Sequence, residues 1–157
     1  MVETGPGLVV VVERAVWLLD PADGTRRATW TPLDDAVVQL LGGDDDVVWI
    51  REPDHLVALD TEALVEQHRI PVAGLVRATY GYGRGWYVTV DADALTGTIE
   101  GIDAASGAPV AVFDYQTETR EGRGGTYVVT PAVWPDPVGV LFRDERTSGT
   151  YRLTVDG

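Results

Sequence analysis

Three segments of the chain close a short apolar run on an aspartate and then turn: AVWLLDPADGTRRATW, HLVALDTEALVEQHRI and TIEGIDAASGAPVAVF. Their aspartates, Asp20, Asp60 and Asp103, lie 40 and 43 residues apart. Four residues after each comes Gly24, Leu64 or Gly107, and ten residues after each comes Trp30, Ile70 or Phe113. A fixed spacing of this kind is the mark of a repeated supersecondary unit, so it constrains the fold more tightly than composition does. A glycine four places after the aspartate supplies a permissive backbone, while the carboxylate accepts local N–H bonds. Leu64 breaks that pattern, and the second turn is expected to be of a different type because a branched side chain is penalised at positive φ. TYRLTVDG repeats the strand and its aspartate at Asp156.

Each repeat is preceded by a further strand-like run, at Leu8 to Val12, Val47 to Ile50, Trp86 to Val90 and Val138 to Phe142. Additional candidates fill the gaps: Val37 to Leu41, Val72 to Thr79 and Thr126 to Thr130. The sum is four strands per period, the content of an antiparallel meander and of one propeller blade. The expected fold is therefore all-β, with β-propeller-like repeats of four-stranded antiparallel meanders and about four blades. The chain is read as a single β-rich domain or propeller portion with approximate units 8–31, 36–71, 72–117 and 126–157. The alternative is a small β-barrel or sandwich with a short helix. Thr31, Pro32 and Asp34 form a helix-start pattern ahead of Ala36 to Leu41, and Thr61 to His68 is rich in helix formers.

LVALDTEALVEQHRIPVAG resembles the YVTN-type and surface-layer β-propeller repeats. AVWLLDPADGTRRATW and GIDAASGAPVAVF are also similar to the quinoprotein-alcohol-dehydrogenase-like, or PQQ-like, blades. The likeness runs over most of residues 8 to 113 and weakens through 114 to 157. Such families close six to eight blades, and this chain holds about four. The resemblance thus implies exposed blade faces and strand edges, covered by another chain, a second copy or neighbouring blades of a longer chain.

Charge and composition narrow the partners. Twelve Lys and Arg against 25 Asp and Glu give a formal net charge of −13, which argues against a surface that collects phosphate backbones. Without cysteine there are no disulfides or thiolate metal sites. No apolar run reaches the length of a membrane helix, and the N-terminal segment lacks the features of a signal peptide. The expectation is a soluble protein without membrane insertion, cytoplasmic if the chain is complete.

Motifs for chemistry are sparse. Asp44, Asp45 and Asp46 lack the alternating ligands of a calcium loop and read as a hairpin turn, as do Asp91 and Asp93. His55 and His68 have no local zinc spacing; His55 is expected in a turn and His68 as an edge or partly buried strand residue. Ser106 and Ser148 lack a nucleophile-elbow context, and no GxGxxG occurs, so no catalytic residue, metal or cofactor is assigned. The most unusual composition is YGYGRGWY, whose Tyr80, Tyr82, Arg84 and Trp86 are the candidate ligand-contact residues. Arg120 to Gly125 reads as a polar hairpin, and Arg143 to Arg146 as a charged turn.

The leading functional expectation is a non-catalytic binding or protein-interaction module, part of a larger or oligomer-completed propeller. Its partners are a protein or a second copy, with a small molecule as a further possibility and no nucleic acid. A small β-barrel cyclase, isomerase or lyase holding an apolar substrate against Trp17, Trp49, Tyr80 and Trp86 is the alternative. A structural support domain is the third.

Overall fold

The computed structural model describes residues 1–155, so Asp156 lies outside the described residues. The chain divides into two compact units, residues 1–73 with Asp103–Ala108, and Gly74–Ile102 with Pro109 onward.

The first unit holds two antiparallel four-stranded meanders. Sheet I runs β1 (Val2–Thr4), β2 (Gly7–Val12), β3 (Ala15–Leu19) and β4 (Arg26–Trp30); sheet II runs β5 (Gln39–Gly43), β6 (Val47–Arg51), β7 (His55–Asp60) and β8 (Glu66–Pro71). A three-residue strand thus precedes the run at Leu8. Register aligns Val9 with Leu18 and Val11 with Val16, and strand alternation carries these side chains to one face. There they meet Val48, Ile50, Val57 and Leu59 of sheet II in a common core. Four consecutive residues of β6 and four of β7 are buried, so sheet II is covered on both faces and reads as a continuous apolar run.

The second unit contains sheet III, with β9 (Leu75–Gly81), β10 (Arg84–Asp91), β11 (Thr96–Asp103) and β12 (Pro109–Gln116), in the order β12-β11-β10-β9. A separate hairpin follows, β13 (Thr119–Gly122) with β14 (Gly125–Val128). Sheet IV has three strands, β15 (Ala132–Asp136), β16 (Gly139–Asp144) and β17 (Gly149–Thr154). Trp86, Val88 and Ile99 of sheet III pack with Val133 and Val140 of sheet IV.

The repeated aspartates close their strands as expected. The backbone N–H of Asp20, Asp60 and Asp103 donates to the carbonyl five residues on, at 2.8, 3.0 and 2.8 Å. The second turn overturns the expectation set by its leucine. Leu64 adopts φ 55°, in the same left-handed region as Gly24 at 73° and Gly107 at 69°. Two things hold it there. Leu64 is buried in the core of the first unit, and Asp60 grips the turn with both oxygens, accepting from the N–H groups of Glu62, Ala63 and Val65. Burial of a leucine is worth about 1.5–3 kcal/mol, enough to outweigh a left-handed backbone cost of about 1–2 kcal/mol.

Neither segment with helix-forming composition becomes a helix of any length. Residues Leu33–Asp35 make one 3-10 turn, after which the chain extends into β5, and Glu66–Pro71 is a strand. Among the described residues the sheets are open meanders with no closed barrel. Thr126–Val128 is a strand, but it pairs with β13, and the fourth sheet opens at Ala132 instead. His55, expected in a turn, begins β7; His68 lies half-buried on β8.

Candidate functional site

The aromatic–glycine segment forms the β9–β10 hairpin. Gly81 and Arg84 pair across a two-residue loop in which Tyr82 and Gly83 both have positive φ, 55° and 70°. That mirror-image turn matches the right-handed twist of the strands. Gly81 is required for a different reason: a Cβ there would stand 2.6 Å from Pro135. The four candidate residues part company. Trp86 is 1% exposed, its six-membered ring against Gly101, where a Cβ would come within 2.7 Å. Tyr82 is 65% exposed at the loop tip, Tyr80 is half-buried on β9, and Arg84 donates from Nη1 to the Pro137 carbonyl at 3.5 Å. Tyr80, Tyr82 and Arg84 are therefore the members with solvent-accessible surface, and Trp86 packs in the core behind them.

The tryptophans of the barrel-enzyme reading are dispersed in the same way. Trp49 is buried in sheet II, and Trp17 is half-buried with the Arg26 guanidinium 4.9 Å above its ring. The acidic turn is self-contained. The Asp44 carboxylate accepts from the N–H groups of Asp46 and Val47, and Thr61 braces the turn by donating to the Asp45 and Asp46 carbonyls. Among the described residues no group of three or more His, Cys, Asp or Glu side chains is placed to hold a metal ion.

The second unit also holds a cavity of about 260 Å³ that no motif foreshadows. Tyr115 from the end of β12, and Phe142 and Tyr151 from neighbouring positions on β16 and β17, supply its aromatic lining. Phe142 and Tyr151 stack with centroids 5.2 Å apart. Asp114, Asp144, Glu145 and Arg146 supply the charge. Burial tends to raise the Asp144 pKa, but hydrogen bonds and charge from Arg146 win and hold it below the ordinary 3.8. Tyr115 donates to the Thr89 carbonyl at 3.0 Å, and burial pushes its phenol up to about 12. Sequence reasoning missed this group because its members sit on three strands; the one local signal was Phe113 and Tyr115 alternating onto a single face of β12.

Beside it, a wider opening of about 490 Å³ shares Asp114 and Tyr115 and reaches Thr89 and Thr98. Its neighbouring side chains form a cross-strand chain: Tyr87 donates to Glu100 at 2.6 Å, Thr98 donates to the other Glu100 oxygen at 2.8 Å, and Thr98 bonds Thr89 at 2.7 Å. Burial, then the Glu100 carboxylate, raises the Tyr87 pKa far above its usual value.

A second missed group lies in the first unit. Glu52 is 4% exposed and accepts from Arg69 Nη1 at 2.5 Å, while Arg69 also makes a two-point pair with Glu66 at 2.8 and 2.9 Å. The Glu66 bonds first, and Glu52 after them, raise the Arg69 pKa and keep the guanidinium charged. The other Glu52 oxygen is buried without a partner.

No family model matches the chain, and no curated protein matches it. Among solved structures it is similar to BamB from Moraxella catarrhalis, with TM-score 0.53 and 14% identity over 95% of this chain and 50% of that one. The fold is β-propeller-like. The chain spans about half the length of that structure. Kluyvelomyces marxianus Hsv2 aligns over 100% of this chain and 59% of its own, at 10% identity and TM-score 0.40. Among the described residues no helix is long and apolar enough to cross a membrane.

Proposed function

We propose that this chain is a binding module of the propeller type, one that associates through uncovered sheet faces with a protein partner, in the first instance a second copy of itself. The observation that carries the reading is the second face of sheet IV. Val133, Val140 and Leu153 turn toward the core shared with sheet III, so alternation puts Trp134, Leu141 and Arg152 on the opposite face. Trp134 is 46% exposed there, and Val138 at the adjoining turn is 50% exposed. Sheet I supports the same reading. Its face turned away from sheet II carries Leu8, Val10, Trp17 and Leu19, all half-buried. β17 adds an open edge: among the described residues its ladder partner is β16, whereas the third strand of each four-stranded sheet has a neighbour on both sides. Aligned coverage of half of the propeller neighbour fits a module that joins further sheets.

The test is the mass of the 17.0-kDa chain in solution. The expected result is a dimer that Trp134→Glu converts to monomer while the circular dichroism spectrum stays that of a folded β protein. A wild-type monomer at all concentrations overturns self-association. Capture of a heterologous chain that Trp134→Glu abolishes would then assign the face to that chain.

A further inference from the structure

The face of sheet III turned away from the core shared with sheet IV is polar. Register puts Thr98 opposite Asp114 and Thr96 opposite Gln116, while Ile99, Phe113 and Tyr115 turn toward the core. On β10, Trp86 and Val88 take the core side, so alternation carries Tyr87, Thr89 and Asp91 to the polar one. Six of these side chains, Thr89, Asp91, Thr96, Thr98, Asp114 and Gln116, line the opening of about 490 Å³. Asp91, Asp114 and Gln116 are exposed in it. At the positions of β10, β11 and β12 on this face there is no Arg, Lys or His.

Glu100 orders the hydroxyls of this groove. Its carboxylate accepts from Tyr87 at 2.6 Å and from Thr98 at 2.8 Å. A hydroxyl has one proton to give, so Thr98 accepts from Thr89 in their 2.7 Å contact. The three protons all run toward Glu100, and lone pairs of Thr89 and Thr98 are left for the groove. Asp114, beside Thr98 in register, makes no hydrogen bond or ion pair among the described residues. Asp91 commits one oxygen to the N–H groups of Asp93 and Ala94. Three carboxylates thus share a face without a counter-charge, yet among the described residues no three are placed to hold a metal ion. The fitting occupant is a planar cation with several donors. A guanidinium pairs with one carboxylate through two N–H groups and keeps others for hydroxyl oxygens.

The chain itself carries such a group. Its 12 basic side chains of the Lys and Arg type are all arginine. Arg123 stands at the tip of the β13–β14 hairpin, exposed and without a hydrogen bond or ion pair among the described residues. A Cβ placed on the neighbouring Gly124 would meet nothing within 4 Å, so the tip stands clear. The hairpin begins three residues after Gln116, which puts arm and groove side by side in the chain. A two-fold contact needs this, because each copy gives what it receives. We infer that the groove of sheet III receives the partner's Arg123 from a second copy, its guanidinium pairing with Asp114 and donating to the Thr89 hydroxyl oxygen, with the two hairpins exchanged reciprocally. The inference rests on the self-association reading and adds a contact distinct from Trp134.

The experiment is the dimer dissociation constant of the full chain, from sedimentation over a dilution series. Arg123→Asp and Asp114→Arg are each expected to weaken the dimer by about 4- to 25-fold, because a symmetric pair loses two exposed ionic contacts worth about two- to fivefold apiece. Both sites are exposed, so the variants keep the circular dichroism spectrum of the wild type. Mixing the two single variants restores the dimer to within about twofold of the wild type, since one charge-reversed pair and one natural pair then form between unlike chains. A contact inside one chain, or a merely structural role for either residue, gives no recovery on mixing. A wild-type dimer that neither reversal weakens, or variants that stay weak when mixed, overturns the exchange and leaves the Trp134 reading standing. A wild-type monomer at all concentrations overturns the self-association reading, and the exchange with it.

Discussion

Sheet II and sheet IV are built from the same antiparallel meander and treat water in opposite ways. In sheet II the stretches Val47–Ile50 and Leu56–Leu59 are buried residue after residue. In sheet IV the third strand, β17, keeps three successive exposed residues, and β15 alternates between buried Val133 and exposed Trp134. A sheet covered on both faces needs apolar side chains at every position; one covered on a single face needs them at every second. The contrast locates where this molecule has finished packing and where it has surface left to offer.

The strongest way to break that contrast is to cut into both sheets. Ile50→Ala is expected to cost about 2–5 kcal/mol, the range for a fully buried large-to-small change, whereas Trp134→Ala in the isolated chain stays within about 1 kcal/mol. Urea unfolding of both variants measures this, and similar losses would mean that sheet IV is as well covered as sheet II.

Ion pairs provide the next comparison. Arg69→Met strands the Glu52 carboxylate at 4% exposure and is expected to cost about 2–3 kcal/mol, reduced from the fully buried case because Arg69 keeps 19% exposure. Arg152 is 57% exposed, and its partner Asp136, 3.2 Å away and 9% exposed, keeps the Val138 N–H as a second donor at 3.2 Å, so Arg152→Met is expected to cost less than Arg69→Met, about 1 kcal/mol. Thermal unfolding of the two variants side by side gives the ranking.

The turns sharpen the contrast through a difference in sign. Leu64 and Ser148 share a left-handed backbone, at φ 55° and 56°, but Leu64 is buried and Ser148 exposed. Leu64→Gly relieves the backbone and loses the packing, for a net loss of about 1–2 kcal/mol; Ser148→Gly gains about 0.5 kcal/mol, after the added freedom of the unfolded chain is subtracted. Denaturation midpoints moving in the same direction would show that burial does not govern these turns.

The smallest effect is on the acid side. The Asp144 pKa is lowered in the folded chain, so its contribution is present above the unfolded value near 3.8 and lost as pH falls through the lower folded value. Asp144→Asn is expected to flatten the acid limb of the stability profile slightly. An unchanged limb would show that the Arg146 contact contributes nothing.

The sheets were legible because their signals are local: an apolar run, an aspartate that ties down the next few N–H groups, another run. What was not legible depends on distant neighbours. Nothing near Leu64 announces that core contacts will outweigh its backbone preference. Thr126–Thr130 has good strand composition, but whether it joins sheet IV or folds back on β13 is decided by Gly122 and Gly125 pairing across a tight turn. In the aromatic segment, composition marked Tyr80, Tyr82, Arg84 and Trp86 as a group, while the hairpin register sends Trp86 inward and Tyr82 outward. The cavity at Tyr115, Phe142 and Tyr151 joins strands separated by the β13–β14 hairpin, beyond the reach of any spacing rule.

Each unit also carries a fully enclosed indole. Trp49 and Trp86 have buried Nε1–H groups with no acceptor, a deficit that the surrounding packing sustains. An indole without solvent or hydrogen-bond relaxation emits at short wavelength, so these two rings are natural optical probes, one for each half of the molecule. With the remaining tryptophans replaced by phenylalanine, their separate red shifts would reveal whether the halves melt together or in sequence.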